Sequence, residues 1–385
     1  MKTLTTTKEL AAFCDAASGH DYVTLDTEFL RERTYYSKLC LIQMAVPGDG
    51  PEDAVLVDVL SGRLKLDPLY ELFQDHRVVK VFHAARQDLE IFFFEGNVFP
   101  RPFFDTQIAA MVCGFGEQVG YETLVRKIAR ETVDKSSRFT DWSRRPLSAR
   151  QQAYALADVT HLRGIYEYLA NAIAQSGRTK WVEEEMEVLT DPATYIVEPA
   201  EAWRRVKTRT HSGRFLGVVR ELARFREEFA QSRDIPRSRV FKDEALLELA
   251  SAKPENAEDL GKSRLLLREA RRGDIADGIL HAVRQGVACP AADLPQAAPL
   301  RQKAVGNEGL ADLLRVLLKA KAESAGVAQK LIATTAELDD IAGGDTDTPA
   351  LKGWRHEVFG ADALRLCAGK IALSANGRSV RLVEL

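Results

Sequence analysis

The sequence of 385 residues lacks the features typical of secreted, zinc-binding or membrane proteins. Its five cysteines are odd in number, scattered and without a C-x-x-C pair, which argues against a disulfide framework and a zinc site. The seven histidines show no H-x3-H or H-E-x-x-H spacing. No window reaches the ~18 apolar residues of a membrane span. We therefore expect a cytoplasmic protein with free thiols, in which hard oxygen atoms are the candidate metal ligands.

The chain also lacks an overall basic charge, because its formal net charge is -3. Any surface that binds nucleic acid must therefore be local. Residues 201–240 contain such a local excess, with 11 Lys and Arg against 5 Asp and Glu. An excess of this kind is typical of phosphate contact, although a charged run is more often only a solvated helix face.

Short β-rich runs in the first third of the chain predict an α/β layer fold. Four runs at 22–28, 39–46, 54–59 and 78–82 are nearly continuous in apolar residues, which indicates a sheet covered on both faces. We expect the first three to be antiparallel neighbours and the fourth to follow a helix at 67–74. A helix at 88–94 and, after a break at Pro100–Pro102, a long helical region to about Glu187 should complete this domain.

The rest of the chain is helical by period and contains a weak internal repeat. A shift of 92 positions aligns apolar residues such as Leu222 with Leu314 and Val240 with Ile332. The domain prediction is therefore a catalytic-type domain, a linker, a helical domain, a second linker and a second helical domain, at 1–190, 191–206, 207–288, 289–302 and 303–385.

Acidic residues occur at positions that suggest one shared site. In YVTLDTEFL, Asp26 and Glu28 leave a strand on the same face. Asp88 of HAARQD follows the fourth strand, at the edge where open α/β sheets place their sites. In YALAD, Tyr154 and Asp158 share one helix face. Each acid alone has an ordinary explanation, since an aspartate such as Asp88 also suits a helix start. FDT offers Asp105 as a weaker candidate.

The four acids Asp26, Glu28, Asp88 and Asp158 become informative if they converge. Two carboxylates ~4 Å apart repel by ~4 kcal/mol at an effective dielectric constant of 20, so the cluster needs protons or cations. Mg²⁺ or Mn²⁺ fits, because both take carboxylate oxygens and complete their shells with water and phosphate oxygens. Two such ions ~3.5 to 4 Å apart make a clamp for in-line displacement at phosphorus. The sequence therefore predicts a two-metal site.

These motifs together resemble a known enzyme family. The set D-x-E, H-A-A-x-x-D and Y-x-x-x-D resembles the tyrosine-bearing DEDD 3′-5′ exonucleases (DEDDy), and residues 134–162 resemble the signature of the ribonuclease D family. Residues 220–250 resemble the helicase-and-ribonuclease-D C-terminal (HRDC) domain, and residues 351–360 resemble a degenerate second copy. The resemblance implies an α/β ribonuclease H-like exonuclease domain, with a mixed sheet flanked by helices, followed by two all-α HRDC domains. Ala328, where the first copy has Pro236, departs from the repeat.

The resemblance also implies roles for individual residues. Asp26, Glu28, Asp88 and Asp158 match the ligands of two divalent ions, and Tyr154 matches the motif tyrosine, for which we favour orienting the attacking water. The expected reaction is trimming of RNA 3′ ends, with tRNA precursors the family substrate and nucleoside 5′-monophosphates the products. A monomer is expected.

Several further assignments stay open at this point. Thr27, Phe29 and His83 are candidate substrate contacts, although Phe29 could be a core residue and His83 an ordinary buried histidine. Trp142, Arg144 and Arg145 are expected to fix the loop before the third motif. A DNA 3′-5′ exonuclease and a non-catalytic nucleic-acid adaptor are the alternatives, and the second helical domain could be purely architectural.

Overall fold

The structure is a computed structural model that describes residues 2–50, 52–134, 137, 140–210, 212–296 and 307–385. The predicted linker 289–302 and the predicted domain start at 303 lie partly outside these residues, as do four residues of the motif at 134–162. Contacts divide the described chain into two compact units. The first holds residues up to Glu28, from Leu39 to Asp191 and from Asn307 to Leu385, and the second holds Phe29–Lys38 and residues from Pro192 to Gln296.

A six-stranded mixed sheet lies at the centre of the first unit. Its strands are β1 (Lys2–Leu4), β2 (Tyr22–Leu30), β3 (Lys38–Ala45), β4 (Ala54–Val57), β5 (Val79–Phe82) and β6 (Phe103–Asp105). Their order is β1-β4-β3-β2-β5-β6. β3 and β4 are antiparallel, β5 is parallel to both β2 and β6, and β1 is parallel to β4. The carboxyl ends of β2, β5 and β6 therefore meet at one edge.

The predicted strands are present, and their burial explains their composition. Residues Leu39–Ala45 of β3 are all buried, as expected for a strand covered on both faces. β1 and β6 were not predicted, because runs of three residues are too short to show a period.

The helices of this domain are α1 (Thr7–Ala17), α2 (Asp67–Gln74), α3 (Arg86–Gly96), α4 (Thr106–Val112), α5 (Tyr121–Leu124), α6 (Ala149–Ser176) and α7 (Thr179–Leu189), with a 3-10 turn at Val59–Ser61 and a π turn at Val125–Ala129. α2 has the predicted bounds. The expected continuous helical region to Glu187 is wrong, because β6 and a non-helical stretch before Ser148 interrupt it. Gly114 and Gly116 take φ values of 77° and 115°, which a continuing helix does not allow.

The second unit is built from 3-10 turns at Pro192–Thr194, Pro199–Arg205, Glu269–Arg271 and Ala291–Asp293 and from α8 (Gly213–Arg233), α9 (Arg237–Val240), α10 (Asp243–Ala252), α11 (Ala257–Lys262) and α12 (Gly273–Ala288). Its core includes Leu222, Phe241 and Leu246, all fully buried. The segment predicted as a connector, 189–199, contains only short 3-10 turns between α7 and the rest of this unit.

The C-terminal region of the first unit repeats part of this helical pattern. It contains α13 (Glu308–Ala325), α14 (Gln329–Ile332), α15 (Thr335–Ala342), α16 (Gly353–Arg355) and α17 (Ala361–Cys367), with a 3-10 turn at Pro349–Leu351 and a π turn at His356–Gly360. The bounds of α9 and α14 differ by the predicted 92 residues at both ends. Across the described ranges, no helix is long and apolar enough to cross a membrane.

The expectation that the last domain is all-α is wrong. A β-hairpin formed by β7 (Ile371–Asn376) and β8 (Ser379–Glu384) follows α17. The two-residue loop between them begins with Gly377 at φ 62°. Asn-Gly between two runs of alternating apolar residues is a hairpin signal, which the helical repeat before it obscured.

The C-terminal region shares its apolar core with the α/β domain of the first unit. Leu162 of α6 and Leu314 of α13 belong to one buried cluster. The rings of Trp181 and Trp354 stack with centroids 4.7 Å apart, and the backbone N–H of Ala328 donates to the carbonyl of Met111 at 3.0 Å. The region from Asn307 onward is therefore part of the same folded body.

We expect Trp354→Ala to destabilise the first unit, because the substitution removes a buried ring from the stack. Trp354 is 3% exposed, and its Nε1 donates to Glu185 at 3.2 Å. The free energy of unfolding should fall by about 3–5 kcal/mol, measured by denaturant titration. Leu313→Ala is the control, since Leu313 is 45% exposed on the same C-terminal region and should change stability by less than ~0.5 kcal/mol. Equal stability of the two variants would contradict the shared core.

Candidate active site

Three carboxylates from two distant parts of the chain meet at the carboxyl edge of the sheet. One oxygen atom each of Asp26, Glu28 and Asp158 lies within 4.8 Å of the other two. Asp26 and Glu28 stand two residues apart on β2, so the strand presents both on one face. Each of the three is partly exposed, so that water and a ligand can reach the cluster.

Asp88 lies beside this cluster on the first turn of α3. It is 6% exposed, and its carboxylate is not among the three whose oxygen atoms lie within 4.8 Å of one another. The hydroxyl of Thr27 donates a hydrogen bond to Asp88 Oδ1. The Thr27 side chain lies on the opposite face of β2 from those of Asp26 and Glu28. Its hydrogen bond links Asp88 to the strand that carries these two acids.

Asp105, the weaker candidate from the sequence, stabilises the turn that precedes the helix of Asp88. Its carboxylate accepts backbone N–H groups of Ala84 at 3.0 Å, Ala85 at 2.9 Å and Gln107 at 2.7 Å. Ala84 has a positive φ of 57°, a strained conformation that these bonds stabilise. Asp105 is therefore a buried structural carboxylate at the end of β6, where it caps α4.

α6 carries the third motif and is fixed at several points. A capping box between Ser148 and Gln151 starts the helix. Tyr154 and Asp158 lie one turn apart, and their side chains are hydrogen-bonded to each other. The Thr24 hydroxyl of β2 lies 2.8 Å from the carbonyl of Val159. This contact places Asp158 next to the strand of Asp26.

The loop before α6 is ordered by Arg145, as the sequence predicted. Its guanidinium binds both carboxylate oxygens of Asp58 at 2.8 Å and donates to the carbonyls of Cys40 and Trp142 at 2.8 Å. Trp142 is 2% exposed, with its ring 6.1 Å from that of Tyr154. Arg144 is largely exposed and pairs with Asp141 at 3.3 Å.

Burial and neighbouring charges raise pKa values at this site. Burial, followed by the charges of Asp88, Asp158 and Glu28, holds the pKa of Asp26 well above its ordinary value. Burial raises the pKa of Asp88 to about 7, against the opposing effect of the Thr27 hydrogen bond. Burial and the neighbouring charges of Asp158, Glu28 and Asp26 raise the pKa of the Tyr154 phenol. Tyr154 is therefore a neutral hydrogen-bond donor at neutral pH.

This donor set fits hard divalent cations. Clustered carboxylate oxygens without cysteine or histidine ligands suit Mg²⁺ or Mn²⁺. Burial first, and then the charges of the neighbouring acids, disfavour the ionised form of Asp26 and raise its pKa. A bound cation would remove this cost, and its outer face would be open to water and phosphate oxygens.

The three candidate substrate contacts have different surroundings. Thr27 is buried, and its hydroxyl is already hydrogen-bonded to Asp88. Phe29 is partly exposed near the end of β2. His83 lies with its Nδ1 3.0 Å from the Thr106 hydroxyl, which itself donates to the carbonyl of Phe82. His83 therefore donates from Nδ1, and burial lowers its pKa, which keeps the imidazole neutral.

Two residues that the sequence did not indicate complete the site. The Tyr121 hydroxyl donates to the carbonyl of Ala157 at 2.9 Å, directly before Asp158, and its ring lies 5.5 Å from that of His83. Thr24 fixes α6 from the strand side. Neither stands at a spacing that relates it to the acids, so only the folded chain identifies them. The buried polar threonine in an apolar strand was the one available signal.

Comparisons with known proteins agree with this geometry. A family model described as 3′-5′ exonuclease matches residues 1–174, and an HRDC domain model matches residues 215–283. A ribonuclease D of Jannaschia sp. (strain CCS1) is 61% identical over 383 residues, covering 100% of this chain and 99% of the relative. A ribonuclease D of Granulibacter bethesdensis is 46% identical, covering 99% of this chain and 96% of the relative.

A solved structure extends the similarity to the fold of nearly the whole chain. Escherichia coli RNase D, an exoribonuclease involved in structured RNA processing, has a TM-score of 0.83 at 29% identity, covering 96% of this chain and 98% of that one. The chain therefore belongs to the ribonuclease D family of 3′-5′ exoribonucleases.

Proposed function

We propose that Asp26, Glu28, Asp88 and Asp158 hold two divalent cations, Mg²⁺ or Mn²⁺, and that Tyr154 makes this a DEDDy enzyme. The observation that carries the proposal is the approach of three carboxylate oxygens to within 4.8 Å. The Coulombic effect of Asp88 on Asp26 supports Asp88 as a ligand of the second ion. Bound cations supply Lewis-acid activation of the attacking water and charge stabilisation at the leaving 3′ oxygen.

Tyr154, Asp158 and Thr27 position the groups that take part in the reaction. Tyr154 stays protonated, so its hydroxyl positions the water rather than abstracting a proton. Asp158, hydrogen-bonded to Tyr154, keeps the phenol pointed into the site. Thr27 holds the Asp88 carboxylate at the strand. Attack of water on the phosphorus of the last phosphodiester breaks its bond to the 3′ oxygen and releases a nucleoside 5′-monophosphate.

The proposed substrate is the 3′ end of RNA, with tRNA precursors the specific case. Phe29 is partly exposed and offers a ring for base stacking, and His83 would contact the terminal nucleotide, whereas the Thr27 side chain is engaged by Asp88. The basic excess at 201–240 belongs to the HRDC-containing unit and would contact RNA phosphates. Structured RNA processing by E. coli RNase D supports this choice over DNA.

The C-terminal region is proposed to be a second, degenerate HRDC-like domain with an architectural role. The matching bounds of α9 and α14 support a common origin. Its packing into the core of the first unit supports the architectural role. We further propose a cytoplasmic monomer.

Asp26→Asn should abolish RNA trimming without unfolding the protein. A neutral side chain removes a ligand, so the rate should fall by at least ~10³-fold. It also removes a repelling charge, so the melting temperature in EDTA should be unchanged or higher. Trimming of a 5′-labelled single-stranded RNA, with DNA of the same sequence in parallel, measures the rate and discriminates RNA from DNA hydrolysis.

Thermal shifts with and without Mg²⁺ or Mn²⁺ measure cation binding by the same variant. The exposed Asp15→Asn is the control and should behave as wild type. Near wild-type trimming by Asp26→Asn would refute the ligand assignment. Equal hydrolysis of the DNA would favour the alternative substrate, and no hydrolysis of either by wild type would favour the adaptor.

Asp88 should make the cation-free protein less stable as pH rises. Its folded pKa of about 7 exceeds the ordinary value of 3.8. Between these values the folded state binds more protons than the unfolded state, so the free energy of unfolding falls with increasing pH. In EDTA, wild type should lose roughly 2–4 kcal/mol relative to Asp88→Asn between pH 4 and 8. A pH-independent difference between the two proteins in urea titrations would contradict this account.

Tyr154→Phe should slow turnover while leaving the cation requirement unchanged. The phenyl ring keeps the contact with Trp142, so only the oriented hydroxyl is lost. We expect kcat to fall by roughly 10²-fold. Tyr168→Phe on the same helix is the matched control, because Tyr168 is 52% exposed. An unchanged kcat for Tyr154→Phe would remove the hydroxyl from the mechanism.

A further inference from the structure

The segment Phe29–Lys38, which connects β2 to β3, belongs to the helical unit, and Tyr35 is one of the residues that attach it there. The Tyr35 hydroxyl is hydrogen-bonded to Glu227, accepts from Arg237 Nη2 at 2.9 Å, and lies 3.2 Å from Gln231 Nε2. The Arg237 guanidinium also lies over the Tyr35 ring, 4.9 Å from its centroid. We call Tyr35, Glu227, Gln231 and Arg237 the Tyr35 clasp.

Backbone contacts reinforce the clasp. One carboxylate oxygen of Asp234 accepts the N–H groups of Tyr35 and Tyr36, both at 3.0 Å. Asp234 ends α8 in a left-handed conformation, with φ of 49°. The end of α8 therefore binds the backbone of the segment at the position where the Tyr35 side chain enters the clasp.

The clasp pairs its charges around one buried carboxylate, while Tyr35, Gln231 and Arg237 are partly exposed. Glu227 is 1% exposed and receives Arg237 Nη2 at 2.7 Å. A buried carboxylate that lacked these partners would be costly, so the helical unit is built to receive the tyrosine hydroxyl. The Tyr35 ring also packs against the apolar core of that unit. These contacts exceed what a solvated loop needs.

The clasped segment continues the strand of the candidate metal ligands without interruption. β2 runs from Tyr22 to Leu30, so Phe29 follows Glu28 directly in the same strand. Beyond the segment, the chain enters β3, and the carbonyl of Cys40 in β3 accepts Arg145 of the loop before α6. Displacement of the segment would therefore shift both the end of β2 next to Glu28 and the start of β3 next to Cys40.

We infer that the Tyr35 clasp positions the end of β2, so that the HRDC-containing unit sets the alignment of Glu28 for cation binding. Tyr35 is a positioning residue, because it acts through the strand. This inference rests on the proposed function, in which Glu28 is a cation ligand. It gives the helical unit a role in catalysis that is separate from holding RNA.

The test uses Tyr35→Phe in the full-length protein, with a 5′-phosphorylated RNA dinucleotide as substrate. This variant keeps the ring and loses only the hydroxyl. We expect kcat to fall about tenfold and the Mn²⁺ concentration for half-maximal rate to rise severalfold, with KM nearly unchanged. Amide hydrogen exchange at residues 29–38 should become faster. Glu228→Gln is the matched control, because Glu228 neighbours Glu227 but is 58% exposed.

The outcomes separate the clasp from the proposed function. Faster exchange with an unchanged kcat and Mn²⁺ dependence would show that the clasp only stabilises the helical unit, which overturns the inference. Unchanged exchange would also overturn it. If wild type failed to hydrolyse the dinucleotide and longer RNA at any Mn²⁺ concentration, the proposed function itself would fail. A loss of melting temperature equal in Tyr35→Phe and Glu227→Gln, with wild-type kinetics in both, would count against positioning as well.

Discussion

Repulsion between carboxylates is the constraint on which this structure depends. Asp26, Glu28 and Asp158 approach within 4.8 Å, and Asp88 adds its charge from α3. Burial of these acids and the repulsion between them both disfavour the ionised state, and the pKa values of Asp26 and Asp88 are raised accordingly. The acids are therefore held together at that cost by contacts that fix the backbone and the side chains around them.

Those contacts come mostly from uncharged groups and from the backbone. Thr24 and Tyr121 hold α6 at Val159 and Ala157, on either side of Asp158. Asp105 fixes the turn before α3 through three N–H groups. The charged Arg145 orders the loop before α6 by binding Asp58.

The sequence predicted the acids better than it predicted their supports. The pairs Asp26 with Glu28 and Tyr154 with Asp158 follow from strand and helix periods, which are local properties. The Tyr35 contact with Glu227 spans 192 residues, and the Trp354 contact with Glu185 spans 169, so no local pattern encodes either. β1 and β6 were not predicted, because a run of three residues is too short to show the alternation of a strand. The hairpin at the end carried a clear turn signal, which the preceding helical repeat outweighed.

A close backbone approach between the α/β domain and the C-terminal region limits how the protein can be divided. A Cβ atom at Gly114 would lie 2.6 Å from the carbonyl oxygen of Gly326, so the two chain segments touch without side chains between them. Apolar residues of α4, α6 and α7 complete their burial only against α13 and its neighbours. A protein truncated before Asn307 would expose this apolar surface to solvent. Such a surface favours self-association over a smaller active nuclease.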